Sequence, residues 1–475
     1  MTTKENLEKI YQAAIEAADP EKAIHACLRR KDNLLELYTV NETIERFDLD
    51  RFKRVFVVGA GKATASMAKA MEDILGHRIH AGCICVKSGY TRNLSTIETI
   101  EAAHPLPDEN SIAGARQIKG LLEGTTADDL VISLISGGGS ALLCLPPEGI
   151  TLKEKQRVTD LLIKSGAAIH EINLVRKHLS LVKGGNLAKI AYPSTGLNLM
   201  VSDVVGDRID TIASGPFVVD NATFSDALGV IGKYNLIRKI PPSALAYIAQ
   251  GANNEIIADE MIAGEMIGVQ QTDETANENL SIIETTTHFI IASNIICLAA
   301  AKDCAKALGY HCLILSSSIE GDTRDAAAWH AQIALEVLSS SNPIPVPACI
   351  ISGGETTVQV RGEGKGGRNM EFALQTAPLI NGFENLMIAS IGTDGTDGPT
   401  DAAGAVAHGF TMKNAAKMGL DINHYMDNND SYHFFKGLGD LIITGPTHTN
   451  VMDIRIILVT DNKSDDRNDE NNCEK

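Results

Sequence analysis

Positive charge is what this sequence is short of. Its 475 residues carry 60 acids against 42 lysines and arginines, a formal charge of −18. Between Lys239 and Lys302 there is no lysine or arginine at all. A nucleic-acid partner needs a basic stripe to neutralise its phosphates, so that class of function is excluded. A small anion stays within reach if the few cations gather in one place. No apolar run is long enough to cross a bilayer, and Met1 to Arg30 is polar and amphipathic, unlike a signal peptide. The expectation is a soluble, cytoplasmic protein with no membrane partner. The nine cysteines are scattered, with Cys83-Ile-Cys85 as the one close pair. That spacing makes neither a zinc knuckle nor a disulfide framework and fits a reducing compartment.

What the chain does have is a repeated strand, glycine turn and helix. Val131 to Ile135 is a short apolar run that enters Ser136-Gly-Gly-Gly-Ser140 and then a helix-forming Ala-Leu-Leu. Such a run reads as a buried strand of a parallel sheet. Its glycines let successive backbone N–H groups face an anion. The same pattern recurs at Arg54–Val58 before Gly59-Ala-Gly-Lys62, at Ala348–Ser352 before Gly353-Gly-Glu-Thr356, and at Leu386–Ile391 before Gly392-Thr-Asp-Gly-Thr-Asp-Gly398. Strands alternating with helices predict an α/β fold, and the length predicts two domains. The boundaries read as 1–245 for the first domain and 287–460 for the second. An acidic connecting segment at 246–286 and a polar, disordered tail at 461–475 complete the division. Residues 255–284 carry eight acids, read as a solvated face, and Gly251-Ala-Asn-Asn254 reads as a break. Helices are expected over 4–18 and 20–30, and a serine turn at 316–318.

Four glycine turns, at 59–61, 137–139, 353–354 and 364–367, stand near the cations Lys62, Lys177, Lys183 and Arg368. Five acids, Asp203, Asp207, Asp394, Asp397 and Asp401, follow strand ends. Anion donors with carboxylates for a divalent ion are what phosphoryl transfer needs, since positioning and charge neutralisation do most of that work. Oxygen-only sites suit Mg²⁺ rather than zinc. The Walker pattern is absent, because Gly59-Ala-Gly-Lys62 lacks both the spacer and the hydroxyl residue after lysine. Blander readings stand beside these. Arg368 can pair with Glu371 on its own helix, Asp203 and Asp207 can cap turns, His104 can be an ordinary loop histidine, and Arg176, Lys177 and Lys183 can form a solvated face.

Eight motifs in order carry a family resemblance. They are Ser-Gly-Gly-Gly-Ser-Ala at 136–141, Glu171-Ile-Asn-Leu-Val-Arg-Lys-His-Leu-Ser180, Lys183-Gly-Gly185, Ser202-Asp-Val-Val-Gly-Asp207, Ala213-Ser-Gly-Pro216, Ser352-Gly-Gly-Glu-Thr356, Gly364-Lys-Gly-Gly-Arg-Asn369 and Gly392 to Gly398. Together they resemble the MOFRL (multi-organism fragment with rich leucine) glycerate 2-kinases from about residue 50 to 458. The resemblance implies a Rossmann-like N-terminal domain with helices on both faces of a parallel sheet, a C-terminal α/β domain, and an active site in the cleft between them. It also implies ATP, Mg²⁺ and D-glycerate, giving 2-phosphoglycerate and ADP. On it, Lys62, Asp203 and Arg368 are the catalytic candidates: Lys62 for phosphate or carboxylate, Arg368 for transition-state charge, Asp203 for the substrate hydroxyl. Substrate and nucleotide binding fall to Gly59, Gly61, Ser136, Gly137, Gly138, Gly139, Ser140, Lys177, Lys183, Gly353, Gly354, Glu355, Thr356, Gly367 and Asp394. Asp203 and Asp207 are the metal candidates. The sequence departs from the family pattern at Met370, at His448, where glycine is usual, and at Asp322-Thr323. A homodimer is left open.

Two other readings compete. An NAD(P)-dependent hydroxypyruvate reductase would use Gly59-x-Gly61, yet the third glycine position is Thr64 and the next strand delivers Lys87 instead of a ribose-binding acid. A non-catalytic sensor of phosphorylated sugar acids would need the glycine turns but not the carboxylates.

Overall fold

The computed structural model describes residues 2–38, 44–265, 281–283 and 285–461. The expected tail after residue 461 and the stretch 266–280 of the expected connector lie outside them. The chain forms two compact units, one of Pro20–Ser202 with Asp207–Ile291, the other of Met1–Asp19, Asp203–Gly206 and Ala292–Lys475. Among the described residues, no helix is long and apolar enough to cross a membrane.

The unit that starts at Pro20 opens with a small antiparallel sheet of β1 (Leu28–Lys31), β2 (Leu34–Tyr38) and β3 (Ile44–Asp48). The second predicted helix therefore stops at Cys27, and its expected end at residue 30 is corrected. The alternation of buried and half-buried residues in β2 puts Leu35 and Leu37 into the core and gives the strand its period of two. The main sheet has the order β6-β5-β4-β7-β8-β9. Its strands are β4 (Arg54–Ala60), β5 (Ile79–Lys87), β6 (Ile97–Ala102), β7 (Asp129–Ile135), β8 (Thr195–Val201) and β9 (Thr286–Ala292). From β6 to β8 every neighbouring pair is parallel. The central β7 is buried along its whole length, as a strand covered on both faces must be. Helices Thr64–Leu75 and Glu109–Leu122 supply crossovers. Asp108 caps the second, accepting from the Ser111 amide while Ser111 Oγ answers at the Asp108 amide.

A helical layer of this unit comprises Leu152–Lys164, Ile169–His178, Phe224–Lys233 and Pro242–Glu265. The predicted break at Gly251-Ala-Asn-Asn254 is instead part of the last helix. A Cβ on Gly251 would lie 2.4 Å from the Phe224 ring, so glycine is there to let two helices approach.

The other unit holds a mixed sheet of order β10-β11-β15-β12-β13-β14. Its strands are β10 (His311–Ile319), β11 (Ala348–Gly354), β12 (Leu386–Gly392), β13 (Gly404–His408), β14 (Leu441–Ile442) and β15 (Asp453–Val459). β10 and β11 are parallel, whereas β15 lies between β11 and β12 antiparallel to both. The predicted serine turn at 316–318 belongs to β10, where two register shifts absorb it. The N-terminal helix Thr3–Ala17 packs on helix Asn294–Ala307 and on β15.

Candidate active site

In the parallel-sheet unit, β4 and β7 end side by side, and their glycine turns differ in kind. A Cβ on Gly59 would sit 2.2 Å from the Leu134 carbonyl oxygen, and one on Gly61 would sit 2.0 Å from Ser136 Oγ. The amides of Gly61, Lys62 and Ala63 donate to Cys85 O, Gly137 O and Ser136 Oγ at 3.1, 2.9 and 3.0 Å. The glycines at 59 and 61 thus serve strand packing, and Ser136 fills the space that a ligand would need. The turn after β7 is the open one. Gly138 takes φ +83°, and the N–H groups of Gly137, Gly138 and Ser140 have no protein acceptor among the described residues. Ser140 Oγ meets Ser214 Oγ at 2.7 Å.

Lys62 and His104 flank that turn. A Cβ on Gly138 would lie 3.1 Å from the His104 ring and 3.3 Å from Lys62 Cγ. The Lys62 ammonium has no carboxylate within ion-pair distance among the described residues, although it is half-buried. Burial first, then the charges of Lys62 and Lys87, lower the His104 pKa to about 4, so its imidazole is neutral at pH 7. His104 therefore stands beside the open turn rather than in a remote loop. Its one sequence signal was its place before proline after β6, too common a feature to single it out.

Lys177 is 8% exposed and is neutralised by Asp220 at 2.7 Å and Asp210 at 3.5 Å. Lys183 is 1% exposed and, among the described residues, reaches only the Ala213 carbonyl, at 3.4 Å. These two are interior side chains, so a solvated basic face does not describe them. One Asp207 carboxylate oxygen is buried without a hydrogen-bond partner, on a residue held at φ +52°.

In the mixed-sheet unit, Arg368 starts the helix Arg368–Thr376. Its partners are Asp453 at 2.6 Å and Glu355 at 3.0 Å, not the Glu371 of the simplest reading. Glu371 is buried and bonds Gln375. Asp453, at the start of β15, is fully buried and also accepts from Asn369 Nδ2 at 2.9 Å. Sequence reasoning missed Asp453, because its partner is distant in the chain and no glycine turn marks it.

The loop before Arg368 lies on residues 428–430. The amides of Gly362, Glu363, Gly364 and Lys365 donate to Asn429 Oδ1, Asn428 Oδ1, Asn428 O and Asp430 Oδ1. Only the amides of Gly366, Gly367 and Arg368 remain without a protein acceptor among the described residues. Asp397 caps the helix by accepting from Asn369 N at 3.1 Å and Met370 N at 2.7 Å. A Cβ on Gly367 would meet Asp397 Oδ1 at 2.2 Å.

The remaining candidates of this unit are mostly structural in their contacts. Gly353 makes room for the Asn294 side chain and Gly354 for Ile319. Thr356 is buried, bonded to Thr323 Oγ1 at 3.0 Å and Arg455 Nη2 at 3.1 Å. Asp394 accepts from Thr396 in its own turn, and Asp401 accepts from Tyr432. Met370 is part of the core. His448, where glycine is usual, sits at φ +59°, a conformation that glycine adopts without strain. Asp203 belongs with Arg368 in this unit, and Lys62 belongs to the other.

Residues 6–249 match the profile of a domain of unknown function, DUF4147, and residues 348–453 match the MOFRL family. The glycerate 2-kinase of Pyrococcus horikoshii is 41% identical over 95% of this chain and 96% of its own. The chain belongs to the MOFRL glycerate 2-kinase family. The crystal structure of a glycerate kinase of this family from Thermotoga maritima superposes with a TM-score of 0.82 at 38% identity, covering 96% of this chain and 99% of that one. Another relative, from Agrobacterium vitis, bears a provisional name as a hydroxypyruvate reductase at 38% identity over 97% of this chain and 95% of its own. The geometry does not favour that name here. The Gly59–Gly61 turn is filled by Ser136, and β5 ends in Lys87, which lies over the Tyr90 ring.

Proposed function

We propose that this protein is a glycerate 2-kinase that transfers the terminal phosphoryl group of ATP to the 2-hydroxyl of D-glycerate. The observation that carries the reading is Lys62, an ammonium without a carboxylate partner among the described residues, beside amides at Gly137 and Gly138 that have no protein acceptor among them. Such a turn offers hydrogen-bond donors and a charge where negative oxygens gather, and it requires no rearrangement at the moment of reaction. In the transfer, the 2-oxygen forms a bond to the terminal phosphorus as the bond to the β–γ bridging oxygen breaks. The hydroxyl proton passes to Asp203, and ADP leaves.

In the other unit, Arg368, with the amides of Gly366 and Gly367 that have no protein acceptor among the described residues, is read as a group able to neutralise phosphoryl oxygens. The ion pairs to Asp453 and Glu355 hold its guanidinium in one orientation. Of the two metal candidates, Asp207 fits a divalent ion, because an orphaned carboxylate oxygen is what a hard cation binds. When bound, Mg²⁺ supplies charge neutralisation at the phosphate oxygens. Of the predicted binding residues, the turn 136–140, Glu355 and Gly367 are retained in this reading. Gly59, Gly61, Gly353, Gly354, Thr356 and Asp394 act by shaping the strand ends.

The test is an assay with Mg·ATP and either enantiomer of glycerate, coupled through enolase without a mutase. Phosphoenolpyruvate formed from D-glycerate supports the reading. A product that needs the mutase first, or NADH oxidation with hydroxypyruvate in its place, overturns it.

A further inference from the structure

Three positive side chains enter the interior of the parallel-sheet unit without a carboxylate to meet them. Lys183 is 1% exposed and Lys155 is 5% exposed. The Lys155 ammonium donates to the Leu179 carbonyl, Lys183 has its long contact to Ala213 O, and Arg176 donates to Asn173 Oδ1 at 3.3 Å. None of the three forms an ion pair among the described residues. Lys177, one residue from Arg176, is paired with two aspartates. The fold supplies counter-charges for one lysine and withholds them from its neighbours.

An unpaired buried ammonium is costly, so such a group either sheds its proton or takes a compensating anion. Burial, then the repulsion of Arg176 and Lys155, holds the Lys183 pKa well below the ordinary lysine range. Burial also lowers Lys155, to about 8, and Arg176. Lys183 lines a cavity of about 460 Å³ together with Lys177, His178, Asn186 and Lys189, and the one carboxylate in its lining, Asp220, is engaged by Lys177. Its contact residue Ala213 opens three consecutive left-handed residues, at φ +50°, +64° and +59° for Ala213, Ser214 and Gly215. A Cβ on Gly139 would press on the Ala213 methyl at 2.7 Å. Lys183 thus stands behind the same open turn that Lys62 flanks.

We propose that Lys183, backed by Arg176 and Lys155, holds a compact oxyanion, a phosphate or carboxylate group, at the floor of this cavity. The identity of the natural anion rests on the kinase reading, whereas the site itself does not. In the ligand-free protein the site is a stored electrostatic cost, and the anion removes it on binding.

The experiment is thermal unfolding and titration calorimetry of the full chain with inorganic phosphate, ADP, 2-phosphoglycerate or D-glycerate. Wild type is expected to gain stability with inorganic phosphate and to take up protons on binding. Lys183→Met should melt about 2–4 °C higher than wild type without ligand and bind phosphate at least about tenfold more weakly. Lys155→Met should move both readings the same way by less. Among the organic ligands, the one whose shift is lost in Lys183→Met supplies the anion. A Lys183→Met protein that melts lower without ligand, or that keeps the full phosphate response, overturns the proposal. A wild type that responds to phosphate yet makes no phosphoglycerate overturns the kinase reading alone.

Discussion

The guanidinium of Arg368 grips Asp453 twice, Nε to Oδ2 at 2.6 Å and Nη2 to Oδ1 at 3.0 Å. Burial opposes the guanidinium's charge, but Asp453, and then Glu355, raise its pKa above the ordinary arginine value. Asp453→Asn keeps the shape and removes the counter-charge. Loss of a partner from a buried pair costs on the order of 3 kcal/mol, less whatever solvent recovers at the part-exposed arginine. We expect a lower melting temperature together with a fall in kcat that exceeds any rise in KM. A variant that melts lower but turns over normally would confine Asp453 to a structural role.

Lys62→Met separates activity from stability in the opposite way. The side chain has no ion pair among the described residues to lose, so the melting temperature should move little. Removal of one preorganised charge at a phosphoryl site costs about 10²–10³-fold in kcat. Wild-type turnover in this variant would show that Lys62 takes no part in the reaction.

Gly59→Ala and Gly138→Ala should fail differently. The first drives a methyl to 2.2 Å from a backbone oxygen of β7, where nothing flexible can yield, and should destabilise the whole unit. The second costs about 1–2 kcal/mol for a left-handed alanine and crowds Lys62 and His104. Its main effect is expected in kcat/KM, read by steady-state kinetics beside a melting curve. Equal thermal losses in the two variants would contradict this division.

Asp397 gives a pH signature. Burial pushes its carboxyl up to about 7, against the amides of Met370 and Asn369 that pull it down. Its folded value thus exceeds the ordinary 3.8, so between about pH 4 and 7 the folded protein keeps a proton that the unfolded chain has released. More protons bound to the folded state means that stability from this group falls as pH rises through that window, then levels off. Asp397→Asn should lack that decline. Parallel denaturation of the two proteins from pH 4 to 8 measures the difference, and a constant gap would refute it.

The strands and their glycine turns were legible because buried β-prone runs and missing Cβ atoms are local signals. Which turn could receive a ligand was not, since that depends on what fills it. Ser136 closes the turn at 59–61, and residues 428–430 cover the amides at 362–365. Both coverings come from far along the chain. Asp453 escaped notice for the same reason, as a lone aspartate before an apolar strand has no pattern of its own. The helix Pro242–Glu265 was hidden by Gly251, whose reason is the Phe224 ring. The small sheet of β1 to β3 went unread because Leu28-Arg-Arg-Lys31 follows a helix without any breaker.

The packing of Thr3–Ala17 on Asn294–Ala307 has a consequence for synthesis. The first helix leaves the ribosome with its apolar side uncovered, and its partner follows roughly 280 residues later, a delay of about 15–55 s at ordinary elongation rates. Through that interval Leu7, Ile10 and Ala14, all buried in the finished protein, are exposed to chaperones or to other nascent chains. A gene fragment that begins after residue 19 would leave the opposing helix permanently bare, so the carboxyl-terminal half should be expressed with its amino-terminal helix supplied.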